Sequence, residues 1–224
     1  MLYTLENVRA NIRTRQSGRV FFLGQEDTLT SAARDYLNGE RIPILPASQA
    51  KITRYRGLDG CYYEEKPEHM TQLTGEILVP KTHPRILFRG KLDALQSELI
   101  LLALEEPGLG KECGEMLEFV RQILKSEVLE EPFREEKLLG LTLDEIRVFS
   151  QQPQKYLGKP HFMPGPQHGL TVARLNALRT QVRQTELAAA QAFPEQRQDI
   201  VRGLNRLSSL AYILMLQCKG DKSP

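Results

Sequence analysis

From Pro84 onward the apolar positions fall on a helical period. Phe88, Leu92, Leu95, Leu99 and Leu102 recur at i, i+4, i+7, i+11 and i+14, one stripe on a helix whose first turn Pro84 suits with its fixed φ. Further helices are expected from about Lys111 to Val128, from Thr142 to Tyr156 with Asp144 and Glu145 against its N-terminal dipole, and from Leu170 to Phe193. A last one, beyond Pro194, sets Ile200, Leu204, Leu207, Ala211, Leu214 and Cys218 at near-heptad spacing. Before about Gly75 the pattern changes to short elements: "GRVFFLG" and "RIPIL" read as strands, with "TSAARDYLNG" between them a helix capped by Thr30 and stopped by Gly39. The stretch "ASQAKITRYRGLDGCYYEEKPEH" has few core candidates and reads as a linker or mobile loop. The expected fold is therefore mainly α, a five-helix bundle over 76–224 preceded by a small α/β unit with a mobile linker over 1–75.

Polar residues interrupt the stripes in a regular way. On the helix from Leu170, the core positions Leu175, Leu178, Val182 and Ala189 are flanked by Asn176, Arg179, Arg183 and Glu186 at i, i+3, i+7 and i+10. Taken alone, that strip reads as a solvated face with a weak Arg183 to Glu186 pair. The helix from Pro84 carries Arg89, Asp93 and Gln96 in the same arrangement, however, and Asn205 and Arg206 break the apolar run "GLNRLSSLAYILML". Buried polar groups are costly unless they pair or meet a ligand, so three such helices point to a shared polar cleft. Lys81, Arg85, Arg89 and Lys91 cluster around the start of the Pro84 helix, where free N–H donors add to the cations and phosphate fits; a solvated basic loop is the alternative.

Composition narrows the partners. Among 224 residues, thirty basic and twenty-eight acidic side chains leave a net charge of +2, so no global field gathers nucleic acid or anionic lipid, and any anion site is local. Cys61, Cys113 and Cys218 are odd in number, scattered and free of C-x-x-C spacing, which argues against a disulfide framework and a structural zinc site. The longest apolar run, "LILLAL", is far too short to span a bilayer, and the start has no apolar signal region; a soluble, cytoplasmic protein is expected.

Three segments, "TQLTGEILVPKTHPRILFRGKLDALQSEL", "HFMPGPQHGLTVARLNALRTQVRQTEL" and "GLNRLSSLAYILML", together resemble the ATP:cobalamin adenosyltransferases, most closely the ethanolamine-utilisation type and more distantly the propanediol-utilisation type. The resemblance covers most of the chain; its most specific part is K-x-x-P-R, R-x-x-x-R-x-x-E and N-R-L-S in that order. It implies a helical-bundle homotrimer with sites between subunits, moving the 5′-deoxyadenosyl group of ATP to cob(I)alamin and releasing triphosphate, with Mg²⁺ on the phosphates. By the same resemblance Lys81 and Arg85 hold ATP phosphates under a loop containing Thr71, and Asp93 pairs with Arg179 across the subunit boundary. Arg183 and Glu186 bind nucleotide, and Asn205 and Arg206 complete the pocket. Arg183 would then face the charge developing on the leaving triphosphate.

"HFMPGP" resembles the loop that wedges a side chain beneath the corrin to displace the lower axial ligand; counting back from Pro164 puts the family's position on His161, whereas Phe162 is the apolar side chain. The chain departs from the family in two places. Where many ethanolamine-type members carry a His and a Cys-Cys-x-x-Cys cluster, only Cys61 and His69 stand here, so no structural metal is expected. "EKPEHMTQLTG" also lacks the glycines of the propanediol type's phosphate loop, which leaves Lys66 or His69 to contribute there. The alternatives to an enzyme are a non-catalytic protein of the same fold that holds or delivers the cofactor to a cobalamin-dependent lyase or a bacterial microcompartment, and an unrelated helical interaction protein whose stripes are oligomer seams.

Overall fold

The computed structural model describes residues 1–15, 18–50, 55–58 and 60–219. The chain divides into two compact units, Met1–His83 and Pro84–Pro224.

The first unit runs β1 (Leu2–Tyr3), α1 (Leu5–Asn11), β2 (Arg13–Arg15), β3 (Gly18–Leu23), β4 (Thr28–Leu29), α2 (Ser31–Gly39), β5 (Ile44–Pro46), β6 (Tyr55–Gly57), β7 (Tyr62–Tyr63), β8 (Met70–Thr74) and β9 (Ile77–Pro80). Seven of these strands form a mixed sheet in the order β5-β3-β2-β7-β6-β9-β8. Thr30 caps α2 as its sequence suggests, its hydroxyl accepting from the Ala33 N–H at 3.3 Å. The left-handed turn after α2 falls on Arg41 (φ 55°) and not on Gly39. Val8, Ile12, Phe21, Ala33, Leu37 and Ile42 form one core, and Tyr63, Met70 and Leu78 a second. The segment expected to be a linker supplies β6 and β7: Arg56 pairs with Tyr62 and with Ile77, so alternating aromatic and polar residues here are sheet, despite sparse apolar content. Lys51–Arg54 and Asp59 of that segment lie outside the described residues.

The second unit is mainly helical: α3 (Pro84–Glu105), α4 (Gly110–Val128), a hairpin of β10 (Lys137–Leu138) and β11 (Leu141–Thr142), α5 (Leu143–Gln151), α6 (Pro153–Leu157), α7 (Gly169–Ala192) and α8 (Gln198–Cys218). The helix expected from Thr142 to Tyr156 is two. Proline at 153 has no N–H to continue the ladder, so α5 ends at Gln151 and α6 starts afresh at Pro153. Thr142 and Glu145 close a capping box at the start of α5. α7 packs along α8, α3 against α4 and α7, and α5 against α8. The stripes read from the sequence are the core: Phe88, Leu92, Leu95, Leu99 and Leu102 of α3 meet Leu175, Leu178 and Val182 of α7 and Leu204, Leu207 and Ala211 of α8 in one cluster.

Candidate functional site

Four of the expected residues are joined in one string on α7 and α8. Asn205 Nδ2 donates to Glu186 Oε1 at 2.9 Å, Arg206 Nη1 donates to Asn205 Oδ1 at 2.5 Å, and Arg183 Nη1 lies 3.4 Å from Glu186 Oε2. The string has loose ends. Among the described residues, the buried Glu186 Oε2 receives no hydrogen bond, since the Arg183 contact lacks the alignment of one, and the buried Arg206 Nε finds no acceptor. Burial pushes the Arg206 pKa down, and repulsion from Arg147 and Arg202 pushes it further. Buried donors and acceptors left open beside clustered cations suit an anionic, hydrogen-bonding ligand. Arg183, half of whose side chain is exposed, is the solvent-facing end of the string.

At the start of α3 the arginines are already engaged. Arg85 Nε donates to Glu127 Oε1 at 2.6 Å, its Nη1 to Glu130 Oε1 at 2.8 Å and its Nη2 to the Glu127 carbonyl oxygen at 3.1 Å. Arg89 Nε donates to Glu127 Oε2 at 2.5 Å. Glu127 is wholly buried near the C-terminal end of α4, so two cations one turn apart on α3 clasp one carboxylate. Burial pulls the Arg85 pKa down, but hydrogen bonds to Glu130 and Glu127 outweigh it and leave it raised. Arg85 also lies 5.6 Å from the centroid of the Phe193 ring, with Arg197 5.9 Å from the same ring.

Asp93 and Arg179 do not meet within the chain. Asp93 is exposed on α3 and accepts from Gln96 Nε2 at 3.4 Å, while Arg179 donates to Asn176 Oδ1 at 3.1 and 3.2 Å on its own helix. In the sheet unit, Thr71 pairs with Val79 across β8 and β9, and Lys81 is exposed with its N–H on the His69 carbonyl at 2.9 Å.

The loop from Gly158 to His168 carries the last two candidates. His161 is exposed and Phe162 half-buried, and both rings lie nearly parallel to that of Tyr212 on α8, at centroid distances of 5.9 and 6.1 Å. Phe162 is held further by His168, edge-on at 4.8 Å, and by the Lys219 ammonium at 4.9 Å.

Sequence reasoning passed over Glu127 and Tyr212. The first had a signal: Met116, Val120 and Ile123 set an apolar stripe whose next position, i+11, is Glu127, an acid where a core residue belongs. Tyr212, inside "AYILML", looks like one more core residue. Among the described residues no three His, Cys, Asp or Glu side chains gather as a metal site, and no helix is long and apolar enough to cross a membrane.

A family model described as cobalamin adenosyltransferase matches residues 61–218. The corrinoid adenosyltransferase EutT of Salmonella typhimurium is 37% identical over 161 residues, covering 68% of this chain, and that of Escherichia coli is 36% identical over the same length. The chain spans 59% of the length of these curated relatives. Among solved structures, a single-residue variant of a PduO-type ATP:corrinoid adenosyltransferase from Lactobacillus reuteri, complexed with cobalamin and ATP, superposes with a TM-score of 0.52 at 19% identity, over 66% of this chain and 87% of that one. A second variant of that enzyme, complexed with ATP, gives 0.51 at 19%. At that identity the likeness is one of fold.

Proposed function

This chain belongs to the cobalamin adenosyltransferase family, and from that premise we propose that it transfers the 5′-deoxyadenosyl group of ATP to cob(I)alamin in the service of ethanolamine utilisation. The observation that carries the reading is the Arg183–Glu186–Asn205–Arg206 string with its open buried atoms, Glu186 Oε2 and Arg206 Nε, which a nucleotide's hydroxyls and phosphates would satisfy. The reaction needs little acid or base. The electron pair of Co(I) attacks the ribose 5′-carbon, the C5′–O bond breaks, and triphosphate leaves with that bond's electrons.

What the chain supplies is placement and charge. Asn205 and Glu186 orient the nucleoside, and Arg183, at the exposed end, swings onto the departing triphosphate. Lys81 and Arg85, four residues apart in the chain, each take a phosphate contact, and Thr71 is assigned a further one. Arg85 reaches a phosphate by exchanging Glu130, the exposed member of its pair of acids. Mg²⁺ arriving with the nucleotide would supply further charge neutralisation. The 161–164 loop faces the corrin, with Phe162 its apolar surface. The active form is a homotrimer, its seams drawing on Asp93 and Arg179.

A second reading, a carrier that binds the finished cofactor for a lyase or microcompartment without making it, is favoured by one feature. Residues 70–74, where a glycine-rich phosphate loop would lie, form strand β8. One assay separates the two. With ATP, Mg²⁺ and chemically reduced cobalamin, the enzyme yields adenosylcobalamin, read by its visible spectrum, over many turnovers. A carrier binds added adenosylcobalamin tightly and yields none.

A further inference from the structure

Tyr212 holds the 161–164 loop by one oxygen. The Phe162 N–H donates to the Tyr212 hydroxyl at 3.2 Å, and His161 Nδ1 lies 3.1 Å from the same oxygen. His161 Nε2 is 3.2 Å from the Gln151 carbonyl oxygen at the end of α5. A carbonyl only accepts, so Nε2 carries the imidazole hydrogen, Nδ1 is the bare nitrogen, and the Tyr212 O–H donates to it. This assignment satisfies every polar atom of the latch, and it occupies both ring nitrogens of a histidine that is otherwise exposed. The near-parallel stacking on His161 and Phe162 fixes the same arrangement from the side.

An imidazole nitrogen is a good cobalt ligand. Electron donation along the axis raises the orbital that must accept the electron when Co(II) becomes Co(I), so a free His161 would work against reduction. We propose that Tyr212 is the positioning residue of this loop: its hydroxyl holds both ring nitrogens of His161 away from the cobalt and leaves the apolar ring of Phe162 to the corrin. The inference rests on the reading above that this loop faces the corrin.

Tyr212→Phe keeps the ring and removes the latch. The wild type, Tyr212→Phe, His161→Ala and the double variant are assayed on cob(II)alamin, with a dihydroflavin as one-electron donor, and on chemically prereduced cob(I)alamin. Electron paramagnetic resonance is recorded on bound cob(II)inamide, whose missing nucleotide base leaves the protein as the source of any axial nitrogen. Tyr212→Phe should lose about tenfold or more on Co(II), stay within about twofold on Co(I), and show nitrogen splitting absent from the wild type. In the His161→Ala background the same change should have no further effect on the Co(II) rate and show no splitting. Equal losses on both substrates, an unchanged spectrum, or an undiminished loss in the His161→Ala background would overturn the latch. A wild type that binds cob(II)inamide but makes no adenosylcobalamin from cob(I)alamin would instead refute the transferase reading, and the spectra would still judge the latch.

Discussion

Glu127 is the residue on which the start of α3 and the end of α4 depend together. It is fully buried, and the side chains of its partners Arg85 and Arg89 are only 15% and 18% exposed. Removing the acid takes from two guanidiniums at low exposure the buried carboxylate they share, which costs more than losing a surface pair. Arg85 also bonds the Glu127 backbone carbonyl, one of the last four of α4 that lack a partner within the helix, and brings a cation to its C-terminal dipole. Glu127→Ala should therefore destabilise the protein by about 3–5 kcal/mol, read as a shift in the urea midpoint; a loss within the range of a surface substitution would contradict the clasp. Arg85 thus has a structural duty beside the phosphate contact proposed for it. The helical period exposed Glu127 as an anomaly, but a period cannot say which cations answer an acid: Arg85 and Arg89 lie 42 and 38 residues away in sequence.

At the scale of elements, α8 is anchored through Asp199. Its carboxylate accepts the Phe133 N–H at 2.7 Å and Arg197 Nη2 at 3.1 Å, while Arg197, at φ 45°, also reaches the Ser126 and Glu131 carbonyls. Burial pushes the Asp199 pKa up, but the bonds from Arg197 and Phe133 outweigh it and hold it below the usual value. A lowered carboxylate pKa means stability that is complete above the unfolded value, about 3.9, and lost as pH falls through the folded one. Asp199→Asn should be less stable than wild type near neutrality, and the gap in urea midpoints should narrow as pH drops below about 4. A gap that stays constant through the acid range would show that the charge does not matter. The helices themselves were plain from period and caps, because α3 and α7 bury one face each, α8 is a long apolar run buried nearly all round towards its end, and Thr142 begins α5. The sheet was not. β6 and β7 are three and two residues long and gain their order from distant partners, Ile77 lying 21 residues beyond Arg56 and Arg13 lying 49 before Tyr62, which no local window contains. Pro153 was visible in the sequence, yet an apolar pattern running past it hid the break.

The whole molecule presents a face that a lone chain leaves uncovered. Along α3, opposite the buried stripe, Leu87, Gly90, Ala94, Ser97, Leu101 and Leu104 are all exposed, Leu104 to 73%. Leucines with small residues between them allow close helix approach, and so long an exposed apolar strip marks an interaction surface. Asp93 sits beside that strip with Gln96 on its carboxylate, and Arg179, half-buried on α7, spends its guanidinium on Asn176 of its own helix. Among the described residues neither ion meets an opposite charge, which is what a pair completed by a second subunit leaves in a single chain. Arg179→Ala should therefore lower the assembly state seen by light scattering at micromolar protein, together with activity, since Asp93 would be buried at the seam unpaired. Exchanging the charges, Asp93→Arg with Arg179→Asp, should recover assembly that either reversal alone abolishes. If Arg179→Ala assembles as the wild type does, the two residues do not form the seam; a mixture of the two single-reversal chains that assembles where neither does alone locates the pair between subunits, because only there can one chain supply what the other lacks.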